Sequence, residues 1–386
     1  MIVYDKTELE NQFLIDEALS LFKAGFISKE QYNQTKKEFP IPKRQKNILL
    51  RLGFALLGVL LYASICGFLS ILGLNNIGEN FTFFLFTFSL IGFIGTEVLA
   101  KQNTKGYGLD DTFLIGGQLF LAVAISGANG HDITVVIIAT IVSLLTYLRY
   151  INRISVLIFC AASTATIAYS LFEIGTIGKT ILPFVLMIYA IVLYFISRKY
   201  TQKVIFLFYH KGILLVKNFS LLLFYCSGNY LVVRELSEAL LGNKIAPNSD
   251  IPFALFFYAF TFIVPAVYIF YSLKLQERLM LWIGLLTLGF SIYTIRYYHH
   301  ILPVEIALTL GGLFLFAVSY FSIKKLKDAT TGITFKQDRF INSSDFLHTE
   351  ALILTAQFGL KPEVNAESPM EFGGGGFSGG GSGSSF

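Results

Sequence analysis

The feature that most constrains this chain is a stretch from Asn47 to Lys324, where runs of about 20 mostly apolar residues recur between short polar breaks. A helix of that length crosses the hydrocarbon core of a bilayer. Charged residues make up 14% of the chain and apolar residues 54%, whereas soluble domains carry about 25% charged residues. The sequence therefore predicts an all-α, polytopic helical membrane protein.

Length and hydropathy predict about ten membrane spans, within a range of eight to ten. They centre on residues 52–72, 81–100, 112–126, 133–148, 154–172, 181–197, 213–233, 251–273, 279–295 and 304–323. The third and fourth are short and meet around Gly127, Asn129 and Gly130, so one helical hairpin that only dips into the membrane is an alternative for this pair.

Basic residues concentrate in every second connection between the spans. One set of connections carries Lys101, Lys105, Arg149, Arg153, Arg198, Lys199, Lys203, Lys274, Arg278, Lys324, Lys325 and Lys327. The opposite set carries only Lys179, Arg234, Lys244 and Arg296. By the positive-inside rule, this alternation predicts an even number of spans with both termini in the cytoplasm.

The segments outside the spans divide the chain into four regions. Residues 1–46 are expected to form a cytoplasmic amphipathic helical hairpin and basic collar, and residues 47–325 the transmembrane domain. Residues 326–361 form a cytoplasmic segment with a short amphipathic helix, and residues 362–386 a disordered Gly/Ser/Phe-rich tail. We expect the collar residues Lys43, Arg44, Lys46 and Arg51 to anchor the first span to anionic lipid, at about 1 kcal/mol each.

Two signals define the N-terminal hairpin. Gly25 is a plausible end for its first helix, and Ser28 followed three residues later by Gln31 matches a capping box that starts its second. The segment Gly-Phe-Ile-Ser-Lys-Glu-Gln at 25–31, followed by a basic collar and a polytopic domain, resembles a family of uncharacterised bacterial multi-pass membrane proteins with a G-[LI]-I-[ST]-x-E-Q turn. Phe26 departs from that pattern. The resemblance implies a bacterial inner membrane and no established activity.

Polar residues inside the apolar stretch are the candidates for function, because a charge at the bilayer centre costs about 2.5 to 3.5 kcal/mol. Lys217 either snorkels towards the headgroups or faces a cavity and meets an anionic group, with Asn229 contributing an amide further along the span. Glu305 either carries a proton relay or forms a structural ion pair with Arg296.

Several function classes are disfavoured. The formal charge of +5 comes from basic residues beside apolar runs rather than from one basic domain, which argues against nucleic acid. The three cysteines are far apart, so neither a disulfide framework nor a metal or other cofactor site is indicated. Hydrolase, zinc-protease and nucleotide-binding motifs do not occur, so we do not expect an enzyme.

Two functional hypotheses remain. The favoured one is an interaction or assembly scaffold that presents its cytoplasmic helices and Gly-rich tail to a protein partner. The alternative is a secondary transporter or flippase for a small or lipid-like substrate, with Lys217, Asn229 and Glu305 lining the path.

Overall fold

The computed structural model describes residues 2–23, 25–39, 48–72, 81–102, 106–201, 208–241, 250–275 and 277–299, and scattered helical residues between 306 and 324. Up to residue 299 these ranges contain twelve α-helices and no strand, which confirms the predicted all-α fold. The helices are α1 (Lys6–Lys23), α2 (Lys29–Glu38), α3 (Ile48–Leu72), α4 (Phe81–Lys101), α5 (Leu109–Asn129), α6 (Asp132–Tyr150), α7 (Arg153–Phe172), α8 (Thr176–Thr201), α9 (His210–Gly228), α10 (Tyr230–Leu241), α11 (Ala254–Leu275) and α12 (Arg278–His299).

Eight of the described helices, α3 to α8 with α11 and α12, are long and apolar enough to cross a membrane, as expected of an integral membrane protein. Eight is the lower end of the predicted range. The third and fourth spans are α5 and α6, with 21 and 19 residues, so each has the length of a full crossing rather than of a short dipping hairpin. The predicted tenth span, 304–323, lies largely outside the described residues.

The predicted seventh span, 213–233, differs from the structure because it is not one continuous helix. α9 ends at Gly228, Asn229 has the extended conformation φ −71° and ψ 128°, and α10 begins at Tyr230. α9 also contains Lys211, Lys217 and Asn218, which make it less apolar than the eight helices named above.

The N-terminal helices α1 and α2 form the predicted hairpin. Gly25 adopts a φ of 77°, a conformation that glycine reaches without strain. The predicted capping box is confirmed: the Gln31 amide donates to Ser28 Oγ at 3.2 Å, and the Ser28 amide donates to Gln31 Oε1 at 2.8 Å. The hairpin closes on itself through a stack of Phe22 on Tyr32, whose ring centroids are 5.5 Å apart.

The N-terminal segment lies against one end of the membrane bundle, which we call the hairpin end; the opposite end is the far end. The Val3 amide donates to the Arg149 carbonyl at 3.2 Å. Tyr4 and Leu9 are buried in a cluster with Leu114 and Tyr150. α1 therefore packs on the ends of the membrane helices.

The helices α4 and α5 approach each other closely where two glycines meet. A Cβ built on Gly92 of α4 would lie 2.5 Å from the Cα of Gly117 of α5. Ser89 Oγ, one turn away, donates to the Gly117 carbonyl at 2.9 Å. Small residues with a polar bond across the contact are the usual means of packing helices in lipid, where apolar surface gains little from leaving the bilayer.

Candidate functional site

The break between α9 and α10 is enclosed within the bundle. Asn229 is fully buried, and a non-helical residue at membrane depth is tolerated only where protein buries it or where it lines a cavity. The backbone groups around the break are satisfied locally. The Asn229 amide donates to the Tyr225 carbonyl at 2.9 Å, and the Val233 amide donates to the Asn229 carbonyl at 3.0 Å.

Side chains satisfy two further amides at the break. The Tyr230 amide donates to Thr261 Oγ1 of α11 at 3.0 Å. The Val232 amide donates to Asn229 Oδ1 at 3.2 Å, so the Asn229 side chain acts as the N-cap of α10. A short side chain that bonds to its own following backbone favours leaving the helix at this position.

The amide nitrogen of Asn229 joins α9 to α12. It donates to the hydroxyl of Tyr225 at 2.9 Å and to Thr294 Oγ1 of α12 at 3.1 Å. The Tyr225 hydroxyl lies 2.8 Å from Ser291 Oγ, which donates to the Thr261 carbonyl at 2.6 Å. We call these five buried residues the break cluster: Tyr225, Asn229, Thr261, Ser291 and Thr294. It is a hydrogen-bonded polar layer across α9, α11 and α12.

A second group of polar residues lies beyond the break cluster, towards the far end. The Tyr230 hydroxyl donates to Asp250 Oδ1 at 2.8 Å and accepts from Arg234 at 2.9 Å. Arg234 is buried, and its guanidinium lies 4.8 Å from the centre of the Tyr298 ring. The Tyr298 hydroxyl donates to Glu235 at 2.9 Å. We call these five residues the far-end group.

An ion pair lies on α9 towards the hairpin end. Lys217 Nζ donates to Glu277 Oε2 at 2.7 Å, with 9% of the lysine side chain and 35% of the glutamate side chain exposed. Glu277 immediately precedes α12. Twelve residues of α9 separate Lys217 from Asn229, which corresponds to about 18 Å along the helix.

Polar groups therefore follow the broken helix for most of its length. The Lys217–Glu277 pair, the break cluster and the far-end group together form what we call the polar line. From Lys217 to Arg234 it extends over about 25 Å at the helical rise of 1.5 Å per residue. That length is comparable to the hydrocarbon thickness of a bilayer, about 30 Å.

The structure separates the four residues predicted as an intramembrane site. Lys217 and Asn229 both lie on the polar line, but in different parts of it. Arg296 is half-buried on α12, two residues beyond Thr294, and the hydrogen bonds of the break cluster do not include it. Glu305 lies outside the described residues.

The predicted lipid-anchoring residues have different outcomes. Lys43, Arg44 and Lys46 lie outside the described residues. Arg51 pairs with Asp111 of α5, while 42% of its side chain remains exposed. Asn152 Nδ2 also donates to Asp111, at 2.6 Å.

This carboxylate belongs to a second polar region, at the hairpin end of α3 to α7. A cavity of about 70 Å³ lies there, lined by Tyr4, Arg51, Asp110, Asp111 and Asn152 among others. The Asp110 carboxylate accepts from the amides of Gly106 and Gly108 at 3.0 Å each. Since the side chains of Arg51, Asp110, Asp111 and Asn152 each bond to another helix or to a nearby loop, this region works as a latch that holds the helix ends together.

Two more features complete the latch. Glu97 of α4 accepts from Arg149 at 2.6 Å and from the Tyr150 hydroxyl at 2.8 Å, which ties α4 to α6. Burial, followed by the nearby carboxylates of Asp110 and Asp111, raises the pKa of Tyr4 well above its usual value, so its phenol is neutral at physiological pH. In the described part of the chain, no group of three or more His, Cys, Asp or Glu side chains is placed to hold a metal ion.

Sequence reasoning missed most of the break cluster. One signal was present: Thr287, Ser291 and Thr294 recur at intervals of four and three residues, so they form a polar stripe on one face of an apolar helix. All three are buried in the structure. Glu277 gave no such signal, since it is an ordinary acidic residue in a connection between spans.

The chain was compared with protein-family models, with curated proteins and with solved structures, and none of the three comparisons found a match. We therefore base the proposed function on the chemistry of the polar line.

Proposed function

We propose that this protein is a secondary transporter and that the broken helix α9–α10 forms its substrate path. The observation that carries the proposal is the break at Asn229, inside the bundle, where the Tyr230 amide bonds to Thr261 of α11 and the Asn229 side chain bonds to Thr294 of α12. Broken helices near the bilayer midplane are the common way in which transporter folds expose backbone and side-chain polar groups to a substrate.

The polar line supports the same function. A static bundle has no need of a buried lysine, a buried arginine and a five-residue hydroxyl and amide layer along one broken helix and its neighbours, because each charge opposes insertion by about 2.5 to 3.5 kcal/mol. A path for a polar solute needs such groups at successive depths. The bonds within the break cluster then close the path when no substrate occupies it.

Cysteine accessibility tests this function without knowledge of the substrate. The native thiols Cys66, Cys160 and Cys226 are first replaced by alanine. Ser291→Cys and Thr294→Cys are then treated with a membrane-impermeant maleimide in lipid vesicles, from each side in turn. Both positions are fully buried, and we expect them to react because a transporter must open its path to water.

The matched control is Ser143→Cys on α6, which is as buried as the two test positions but lies off the polar line. It should stay unreactive from both sides. If Ser291→Cys and Thr294→Cys react no faster than Ser143→Cys, α9 to α12 form a static bundle and the transporter proposal fails.

The membrane and orientation belong to the same proposal. Following the charge pattern, we place the hairpin end and both termini on the cytoplasmic side of a bacterial inner membrane. A reporter enzyme that is active only in the cytoplasm, fused after residue 386, should be active. A reporter that is active only outside the membrane should be silent, and the opposite pair of results reverses the orientation.

The scaffold is the second candidate. Its support is the N-terminal hairpin, in which α2 has no buried residue and Phe26 at the turn is 62% exposed. Such a surface is available to a protein partner. The C-terminal tail lies outside the described residues. A pull-down in mild detergent, with the full chain compared with a Phe26→Ser variant and a chain truncated after Lys361, tests this candidate. A partner that both altered chains still bind counts against the scaffold function.

A further inference from the structure

The Lys217 ammonium uses little of its hydrogen-bonding capacity. It is held away from water on α9, and among the described residues it makes one hydrogen bond, to Glu277. An ammonium has three N–H donors. A buried lysine needs an anionic partner, since removal of that partner from a buried pair costs about 3 to 5 kcal/mol. Lys217 thus requires an anion but leaves donors for a second acceptor.

Glu277 is a partner that can be replaced. It lies in the connection between α11 and α12 rather than within a helix, and a third of its side chain is exposed. Its backbone is fixed, because its amide donates to the Ser272 carbonyl at 3.0 Å and its carbonyl accepts from Leu281 at 3.1 Å. In the described part of the chain, its carboxylate accepts a hydrogen bond only from Lys217. An anion from water can therefore exchange with this carboxylate while the backbone stays in place.

The surroundings of the pair favour an anion. Basic residues lie in the neighbouring helix ends: Arg198 in the last turn of α8, Lys274 in the last turn of α11 and Arg278 at the start of α12. When Lys217 and Glu277 neutralise each other, these basic residues leave an excess of positive charge at this end of the helices. A buried ammonium paired with one partly exposed carboxylate, in an excess of positive charge, is suited to hold an oxyanion.

We propose that Lys217 binds an oxyanion group, a carboxylate or a phosphate, of the transported substrate, and that Glu277 fills this site when the substrate is absent. The proposal rests on the transport function above and names its substrate class. Arrival of the anion detaches α9 from the start of α12, while the break cluster keeps the two helices joined about 18 Å away. Substrate binding then selects between two arrangements of the hairpin end.

The test measures anion binding directly, on the purified full-length protein in mild detergent. Trp282 is the one tryptophan of the chain and lies just over one turn into α12 after Glu277, so its emission reports on this site. The probes are sodium phosphate, sodium succinate and dihexanoyl phosphatidic acid, each against sodium chloride at equal ionic strength. Inorganic phosphate or succinate identifies a soluble substrate, and binding of the lipid alone identifies a headgroup.

The two partners should respond in opposite directions. Glu277→Gln removes the internal competitor, so at least one probe should bind roughly tenfold more tightly than to the wild type. Lys217→Met should abolish binding, and the double variant should also fail to bind. A purely structural ion pair gives a different pattern, in which both single variants are destabilised and neither gains affinity. Because Glu277→Gln leaves the Lys217 ammonium buried without its partner, the thermal unfolding midpoint of this variant should fall, and the bound probe should restore it.

The matched control is Asp16→Asn. It frees Lys211, an exposed lysine at the same end of the same helix, whose ammonium lies 2.6 Å from Asp16. If Asp16→Asn gains as much affinity as Glu277→Gln, the effect is general charge attraction and the proposal is overturned. If Glu277→Gln gains no affinity for any probe, the proposal is overturned as well. Failure here leaves the cysteine-accessibility result standing, and unreactive cysteines with tight anion binding would identify an anion site in a protein that does not transport.

Discussion

Replacement of Asn229 by alanine isolates the part of the structure on which the transport proposal depends. The side chain bonds to three residues that alanine cannot reach: it accepts the N-cap bond from Val232, and it bonds to Tyr225 and to Thr294. Loss of an N-cap costs about 1 kcal/mol. Side-chain bonds between membrane helices average about 0.6 kcal/mol each.

The expected loss for Asn229→Ala is therefore about 2 kcal/mol of unfolding free energy. The loss is not larger because the two hydroxyl partners of the Asn229 amide nitrogen each keep another hydrogen bond: the Tyr225 hydroxyl stays bonded to Ser291 Oγ, and Thr294 Oγ1 stays bonded to the Phe290 carbonyl at 2.9 Å. Asn229→Ser should lose about half as much, since serine is a good N-cap but is too short to reach α12.

The measurement is unfolding in a titration from mild detergent into sodium dodecyl sulfate, followed by far-ultraviolet circular dichroism. Asn218→Ala serves as the control, because its side-chain oxygen is buried without a hydrogen-bond partner among the described residues, so its removal should cost little. This role of Asn229 is refuted if Asn229→Ala lies within about 0.5 kcal/mol of the wild type, a margin typical of changes that break no contact. It is also refuted if Asn229→Ser is as damaging as Asn229→Ala.

Three further predictions concern the packing and the latch. Gly92→Ala should lower the unfolding free energy by about 1 to 3 kcal/mol, because the new Cβ forces α4 away from the α5 backbone. Gly289→Ala has nothing within 4 Å of its new Cβ, so in the same titration it should be neutral or stabilising by up to about 1 kcal/mol. A double-mutant cycle of Glu97→Gln and Arg149→Gln should give a coupling of about 1 kcal/mol or less, because both side chains are partly exposed; a value several times larger would contradict this. The pKa of Tyr4 is raised in the folded protein. Docking of the N-terminal segment should therefore be constant below about pH 10, the pKa of a free tyrosine, and should weaken above it. The rate of proteolysis within α1 should rise above this pH in the wild type but not in Tyr4→Phe.

Local signals in the sequence predicted the local structure. The runs that cross the membrane need only length and composition, and α3, with 25 residues and no acidic residue, satisfies both. The capping box at Ser28 is equally local, since its two hydrogen bonds join residues three positions apart. Such features depend on no distant partner, so a single sequence contains all the information they need.

The polar line depends on distant partners and could be predicted only in part. Lys217 and Asn229 stood out because polar residues inside an apolar run are costly. Their partners Glu277 and Thr294 lie 60 and 65 positions further along the chain, and hydropathy carries no information about which helices pair. The break itself was missed because an asparagine within an apolar run is compatible with a continuous helix until Thr261 is known to accept the freed amide.

The docking of the N-terminus has a consequence for the order of assembly. The Val3 amide bonds to the Arg149 carbonyl, and Tyr4 packs against Tyr150, so residues 3 and 4 bind the end of a helix that is made about 145 residues later. At translation rates of roughly 5 to 20 residues per second, that delay is on the order of ten seconds. During this interval α1 must stay in solution while three spans insert. Completion of α6 is therefore the earliest moment at which the hairpin end can close, and a nascent chain stalled before Arg149 should leave α1 open to protease.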